Sequence, residues 1–376
     1  MIRSHKNQNK EVLFDYRPKC TIINGDSREN LVDYKGSVDL IVTSPPYADA
    51  RKKHYDSIHP NKFPDWFLTF HESYWNALKP EGSLVINIKD KVVEGVRHRF
   101  VWRTIEKLID AGWQAIDDYI WHKTNPMPGY WPTRLRDGWE YCFHLAKSKR
   151  PFMNQEAVKM PMGGWAESRL KKLGEGDKSR NNSANQSGFG RDLSRWVGKN
   201  TVLPSNVLSI ALVGKNKGHP AVFPMELPSF FIKLLSPEGG LVVDPFAGSG
   251  STGIAALSLN RDCLLIDTHK EYCDLAYTRL FFEAPRYSDI TYSNISSIES
   301  VIQKKERRKT NQKGKRNGDG FVEDLLAMAT PEYIQSVKEE REMYNAGKTK
   351  KHKKAFYKIP SRPSLSKRKY ATGVLR

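Results

Sequence analysis

LVVDPFAGSGSTGIAALSLNRDCLLID, residues 241–267, carries the pattern that decides the fold. The run Gly240–Val243 reads as a strand that ends in Asp244-Pro245-Phe246-Ala247-Gly248-Ser249-Gly250-Ser251-Thr252, and Thr252–Leu259 reads as the helix that follows. Small residues let the backbone turn sharply and approach a ligand, and the helix N-terminus offers free N–H groups. Cys263–Ile266 reads as the next strand. It ends at Asp267, about twenty residues beyond the loop, where an acid can accept hydrogen bonds from a ribose diol. A nucleotide-like ligand is expected here. Gly248, Gly250 and Gly253 also satisfy GxGxxG, so a nicotinamide dehydrogenase is one alternative. No Lys precedes Ser251-Thr252, which excludes a Walker A phosphate loop.

Strands and helices alternate on either side of this stretch. Cys20–Ile23, Val38–Val42, Leu84–Ile88, Ala115–Trp121 and Trp139–Leu145 read as strands. Lys62–Leu78, Val101–Ala111, Pro228–Leu235 and Lys270–Phe282 have helical spacing. That alternation predicts a largely parallel α/β sheet. Between about Ser148 and Thr201 it gives way to Gly, Asn, Ser and basic residues, an inserted polar region. After Ala284 the chain becomes lysine-rich, with one amphipathic helical stretch at Tyr333–Met343. The expected organisation is a first half over 12–149, an insert over 150–200, a ligand-binding half over 201–284, and a basic, partly disordered extension over 285–376.

The chain has 376 residues and a formal net charge of +19. That excess points to a polyanionic partner, since Lys and Arg gain by releasing counterions from phosphate. Residues 301–376 hold 21 Lys or Arg against 8 Asp or Glu, so much of the excess sits in the last fifth. No run approaches the roughly 18 apolar residues of a membrane helix, and the N-terminal MIRSHKNQNKEV lacks a signal-peptide core. Cys20, Cys142, Cys263 and Cys273 show no metal-ligand spacing, so a reduced, cytoplasmic, metal-free protein is expected.

Val42-Thr43-Ser44-Pro45-Pro46-Tyr47 is the most specific string in the chain. It leaves a strand at the carboxyl edge of the sheet, where α/β sites form. Two prolines stiffen the turn. Ser44 Oγ and the Pro45 carbonyl are two acceptors able to grip an amino group, and Tyr47 is able to stack on a base. An exocyclic amino nitrogen donates its lone pair into its ring and is a poor nucleophile. Gripping its N–H bonds favours the tetrahedral form that attacks a sulfonium methyl. The duplex hides that nitrogen, so the base must be flipped out.

These two motifs resemble those of the amino-methylating DNA methyltransferases of bacterial restriction–modification systems, in the arrangement where the catalytic motif precedes the cofactor motif. The VTSPPY string resembles the N4-cytosine signature; adenine-N6 enzymes of this group more often have Asp or Asn in place of Ser44. The resemblance covers about Lys19–Ala284, apart from the insert. It implies a Rossmann-like S-adenosylmethionine-dependent sheet with permuted motif order and an inserted target-recognition region. It implies methyl transfer from S-adenosylmethionine to N4 of a flipped cytosine in double-stranded DNA, with a cognate restriction endonuclease acting separately. Carried onto this sequence, Ser44, Pro45, Pro46 and Tyr47 are catalytic. Phe246, Gly248 and Gly250 cradle the methionine moiety, with Asp244 and Thr252 in the same cofactor-binding set, and Asp267 binds the ribose. Family members usually have Glu at that acid. His219-Pro220-Ala221-Val222-Phe223-Pro224 resembles the segment that closes over the methionine, which brings in His219 and Phe223. Asp26 is placed to accept from the cofactor's adenine amino group, and Trp121–Pro128 lines the target-base side.

Plainer roles exist for several of these residues. Asp26 suits the cap of a helix starting near Ser27, Trp121 suits the core, and His219-Pro220 suits a loop before a helix. The candidate DNA contacts are Arg51, Lys52, Lys53 and Lys123. In the insert they are Arg169, Lys171, Lys172, Arg191 and Arg195, among further basic residues. Each is better suited to holding phosphate than to reading a base. Two alternatives stay open: N6-adenine methylation, and a DNA-binding protein on an inactive methylase fold.

Overall fold

The computed structural model describes residues 16–48, 58–164, 168, 170–172, 196–212, 224–292 and 331–345. In chain order the strands are β1 Lys19–Asn24, β2 Val38–Thr43, β3 Leu78–Ile88, β4 Lys91–Val93, β5 Val96–His98, β6 Gln114–Lys123, β7 Trp139–Ala146, β8 Met160–Pro161, β9 Thr201–Val202, β10 Val207–Ile210, β11 Leu241–Asp244, β12 Asp262–Asp267 and β13 Asp289–Tyr292. The helices are α1 Ser27–Asn30, α2 Phe63–Leu68, α3 His71–Ala77, α4 Phe100–Asp110, α5 Glu226–Leu235, α6 Ser251–Ser258, α7 Lys270–Glu283 and α8 Pro331–Asn345.

Nine strands form one sheet in the order β10-β6-β7-β3-β2-β11-β12-β1-β13. Every neighbouring pair is parallel except those of β7, which runs against both β3 and β6. All six residues of β2 are buried, as a central strand covered on both faces requires. Alternation along the strands divides the core in two. Leu40, Val42, Val242, Cys263 and Leu265 face α5, α6 and α7, whereas Val38, Ile41, Val243, Leu264 and Ile266 face α2, α3 and α4. Each fully buried Leu, Ile or Phe contributes roughly 1.5–3 kcal/mol, so the two layers fix the sheet from both sides. The α/β class and the motif order read from the sequence are those observed: strand β2 of the first half lies directly against β11 of the second.

The structure departs from the sequence reading in three places. Lys62–Leu78 is two helices, because Thr69 turns its hydroxyl onto the Trp66 carbonyl at 2.7 Å and ends the first. Leu78 already belongs to β3. The segment expected only as the start of the second half contributes β10, which pairs with β6 at the far sheet edge, Val207 opposite Ile120. The sheet also continues past Ala284, since β13 pairs with β1. Within the basic extension, α8 packs Ile334 and Val337 on Phe281 and Phe282, and its Arg341 donates to the Ser288 and Phe281 carbonyls. The helical stretch read at Tyr333–Met343 is thus observed, as part of α8. The insert is pinched at its base by the β8–β9 pair and by Met162 N–H donating to the Asn200 carbonyl. Among the described residues, no helix is long and apolar enough to cross a membrane.

Candidate active site

Ser44-Pro45-Pro46-Tyr47 leaves the carboxyl end of β2, and the loop 244–250 leaves that of β11, its parallel neighbour. One carboxylate joins them. Asp244 accepts from Thr43 Oγ at 2.8 Å, from Thr252 Oγ at 2.6 Å and from the Phe246 N–H at 3.2 Å. Thr43, Asp244 and Thr252 are all buried. Burial pushes the Asp244 carboxyl up to about 6, although its three donors pull the other way. The expectation that Asp244 and Thr252 touch the cofactor is therefore corrected. Their polar atoms face each other and Thr43, and they tie the catalytic strand to the glycine loop.

The loop itself is shaped by backbone. Gly248 has φ +52° and Gly250 φ +77°, both left-handed. A Cβ on Gly250 would lie 2.9 Å from Ala276 Cβ, so the bare backbone is what lets α6 sit against α7. A Cβ on Gly248 would meet only the Phe246 carbonyl, at 4.0 Å. That position faces open space, as a ligand cradle does. Arg279 braces the loop from below, its Nη1 donating to the Ser249 carbonyl and hydroxyl at 2.9 Å each. Phe246 packs edge-on against Phe70, with ring centroids 5.2 Å apart, and lies 5.9 Å from Trp66.

Asp267 ends β12 where the sequence placed it, yet both its oxygens already accept backbone N–H groups: Gly248 at 2.9 Å and His269 at 2.8 Å. It staples the glycine loop to β12, and only its remaining lone pairs are left for a ribose. Asp26 takes the plainer of its two readings. It caps α1 through the Arg28 N–H at 2.8 Å and pairs with the Arg28 guanidinium at 2.5 Å, which holds its carboxyl below the usual range. These partners hold it in place beside the end of β1.

On the other side of Ser44 lies a polar chain that sequence reasoning missed. The Tyr47 hydroxyl donates to Glu140 Oε2 at 2.5 Å, and Lys123 Nζ donates to Glu140 Oε1, also at 2.5 Å. Burial and the adjacent carboxylate push the Tyr47 phenol well above its ordinary value, so it stays a proton donor. Ser44 Oγ lies 3.5 Å from that hydroxyl. Lys123 and Glu140 are buried, and the ammonium sits 5.0 Å from the Trp121 ring centroid. Lys123 therefore does not offer its charge to DNA, which corrects that expectation. Trp121 is a core aromatic whose Nε1 donates to the Ile210 carbonyl at 2.9 Å. The signal in the sequence was Glu140 and His144 within the otherwise apolar strand Trp139–Ala146; a charge and an imidazole on one face of a buried strand demand partners.

The rim beside this chain is basic and aromatic. Asp137 receives Lys89, Arg97 and Arg134 at 3.0, 2.7 and 3.3 Å. Tyr130 and Leu135, in the same connection between β6 and β7, are 88% and 90% exposed. Lys171 and Lys172 are exposed. His219, Phe223, Arg51, Lys52, Lys53, Arg169, Arg191 and Arg195 lie outside the described residues. Among the described residues, no group of His, Cys, Asp and Glu is placed to hold a metal.

Comparison with known proteins agrees with this geometry. A family model described as DNA methylase, of the N6/N4 type, matches residues 38–278. The type II methyltransferase M.PvuII of Proteus hauseri is 31% identical over 293 residues, covering 70% of this chain and 86% of that protein. The orphan methyltransferase M.BamHII of Bacillus amyloliquefaciens is 30% identical over 258 residues, covering 67% of this chain and 91% of that protein. Among solved structures, a PvuII DNA methyltransferase described as cytosine-N4-specific is similar at a TM-score of 0.55 and 25% identity, covering 79% of this chain and 96% of that one.

Proposed function

The chain belongs to the N6/N4 DNA methylase family, and from that premise we propose that it methylates N4 of cytosine in duplex DNA with S-adenosylmethionine as donor. The observation that carries this reading is the adjacency of two loops on parallel strands: Ser44-Pro45-Pro46-Tyr47 after β2 and the glycine loop after β11. The residues present fit the donor. Gly248 faces open space, a helix N-terminus follows, and Asp267 and Arg279 hold the loop in shape. Bound there, S-adenosylmethionine supplies an electrophilic sulfonium methyl.

This chain's own residues do the rest. Phe246 with Phe70 and Trp66 forms an apolar wall beside the loop. Ser44 Oγ and the Pro45 carbonyl accept the two N–H bonds of the target amino group and aim its lone pair. On methylation the amino nitrogen would give up one proton to solvent past Ser44 Oγ, which already accepts that N–H, and the donor would leave as a neutral thioether. Positioning supplies much of the rate, since no covalent intermediate is needed. The half-buried Tyr47 ring offers a face to the flipped base. The basic rim around Asp137, together with Lys171, Lys172, Arg169, Arg191, Arg195 and Arg51–Lys53, holds the phosphate backbone. Ser44, rather than Asp or Asn, and the similarity to a cytosine-N4-specific enzyme favour cytosine over adenine. In the cytoplasm such an enzyme protects a site that a separate cognate endonuclease would cut.

Transfer of labelled methyl to unmodified genomic DNA, followed by nucleoside separation, tests this reading. Label in N4-methylcytosine is the expected result. Label in N6-methyladenine would transfer the assignment to adenine, and DNA binding without transfer would mark an inactive relative.

A further inference from the structure

Beneath the catalytic loop, Ser44 and Tyr47 continue into a chain of polar groups, three of which the methyl transfer itself does not call for. Its members come from four elements: Ser44 and Tyr47 from the loop after β2, Asn87 from β3, Lys123 from β6 and Glu140 from β7. Asn87, Lys123 and Glu140 are buried. Burying an ion pair in a sheet costs desolvation that its attraction does not reliably offset, so its presence here calls for a role.

Hydrogen-bond direction along the chain follows from what each group is able to do. Lys123 is donor-only, and the Glu140 carboxylate it pairs with is acceptor-only. Tyr47 has one proton, and Glu140 takes it at 2.5 Å. The other neighbour of that hydroxyl, Asn87 Oδ1 at 3.4 Å, is also an acceptor, because the Asn87 amide hydrogens face the Tyr141 carbonyl and Cys142 Sγ. With its proton committed, the Tyr47 hydroxyl has only lone pairs to turn towards Ser44. The contact between them is 3.5 Å, and such bonds tighten as a complex forms.

We propose that the Lys123–Glu140 pair is a positioning device that sets the polarity of Ser44. By fixing Tyr47 as donor to Glu140, it draws the Ser44 proton towards Tyr47 and leaves the Ser44 lone pairs free for the target amino group. This rests on the methyltransferase reading above, which supplies the amine. A Ser44 hydroxyl that pointed its proton at the incoming N–H would repel the group it must hold. Glu140 and Lys123 act through Tyr47 and touch neither base nor cofactor.

Glu140→Gln tests it, since a Gln side chain is able to donate to Tyr47 and reverse the chain. Expected is a fall in kcat of about 10- to 100-fold, the usual cost of losing a supporting partner behind a functional group, with KM for DNA and for S-adenosylmethionine within about twofold. Tyr47→Phe removes the link and should cost less, because the Ser44 rotor is then free. In the Tyr47→Phe background, Glu140→Gln should cost nothing further. Equal cost of Glu140→Gln in both backgrounds, or wild-type kcat in Glu140→Gln alone, overturns the proposal. If the orphaned Lys123 unfolds the variant, the neutral pair Glu140→Gln with Lys123→Met is used instead, with near-UV circular dichroism to check folding. A readout free of catalysis separates this from the underlying reading. In protein labelled with 13C at tyrosine Cζ, and with no DNA or cofactor present, the resonance missing from Tyr47→Phe should shift in Glu140→Gln. An unmoved resonance sinks the polarity argument even if methylation is robust, while a shift alongside inactive wild type would indict the assigned reaction instead.

Discussion

The loop after β2 and the loop after β11 leave neighbouring strands at the same edge of the sheet, yet they are held by different means. The first is stiffened by two prolines and fastened through side chains, with Tyr47 on Glu140 and Glu140 on Lys123. The second is shaped by glycines at positive φ and fastened through its main chain, with Gly248 N–H on Asp267 and the Ser249 carbonyl on Arg279. Each suits its task. A group that grips an amine needs fixed side-chain acceptors, whereas a surface that a cofactor must lie against needs backbone with nothing projecting from it. Damage to the first should therefore appear in turnover, and damage to the second in cofactor affinity and folding.

The largest expected effect tests the first half of that contrast. Ser44→Ala should lower kcat by about 100- to 1000-fold, the usual loss for a single aimed hydrogen-bonding group. Its affinity for S-adenosylmethionine, measured by calorimetry, should match wild type. An equal loss of affinity would mean that the two loops are one device and the contrast is false.

A pH experiment sharpens the comparison, because each region buries a group whose titration burial shifts strongly, and the two shifts oppose each other. In the catalytic half, burial pushes His144 down to about 4, with one nitrogen 2.9 Å from Ser83 Oγ. A depressed imidazole contributes stability that is present above its unfolded value near 6.5 and lost as pH falls through about 4. Asp244, at the cofactor loop, is raised to about 6. It contributes stability present below its unfolded value of 3.8 and lost as pH rises through about 6. Each contribution is about 3 kcal/mol, so between pH 4 and 6.5 these two largely cancel. Denaturant unfolding of His144→Gln should remove the His144 part, so that stability relative to wild type rises as pH is lowered across that window. A variant that keeps the wild-type slope would show that His144 does not titrate as its burial requires.

The two loops also differed in how far the sequence revealed them. Glycines and prolines act on their own backbone, so the turn at Gly248–Gly250 and the stiff Ser44–Tyr47 corner were legible from the string itself, as was the strand alternation that brings them together. Acids were less legible, because a carboxylate's partner is chosen in three dimensions. Asp26, Asp244 and Asp267 sit at the expected strand ends, but the first caps a helix and pairs with Arg28, the second joins Thr43 to Thr252, and the third staples the glycine loop. Lys123 is 17 residues from Glu140, across a connection no spacing rule spans. Short β10 and β13 were hidden for a related reason: four residues at a sheet edge carry too little alternation to declare a strand.

Paired alanine substitutions in the glycine loop divide the second half of the contrast into folding and binding. Gly250→Ala combines a left-handed φ with a Cβ only 2.9 Å from Ala276 Cβ and 3.2 Å from its Cα, and α7 backbone cannot rotate away. Strain and overpacking together should cost about 2–4 kcal/mol in denaturant unfolding. Gly248→Ala carries the φ penalty alone, about 1–2 kcal/mol, because its new methyl enters open space. That space is where the methionine moiety is assigned. Gly248→Ala should therefore lose less stability than Gly250→Ala and still bind S-adenosylmethionine at least tenfold more weakly, a loss of about 1.4 kcal/mol. Unchanged affinity in this variant would remove Gly248 from the cradle and leave its glycine explained by the turn alone.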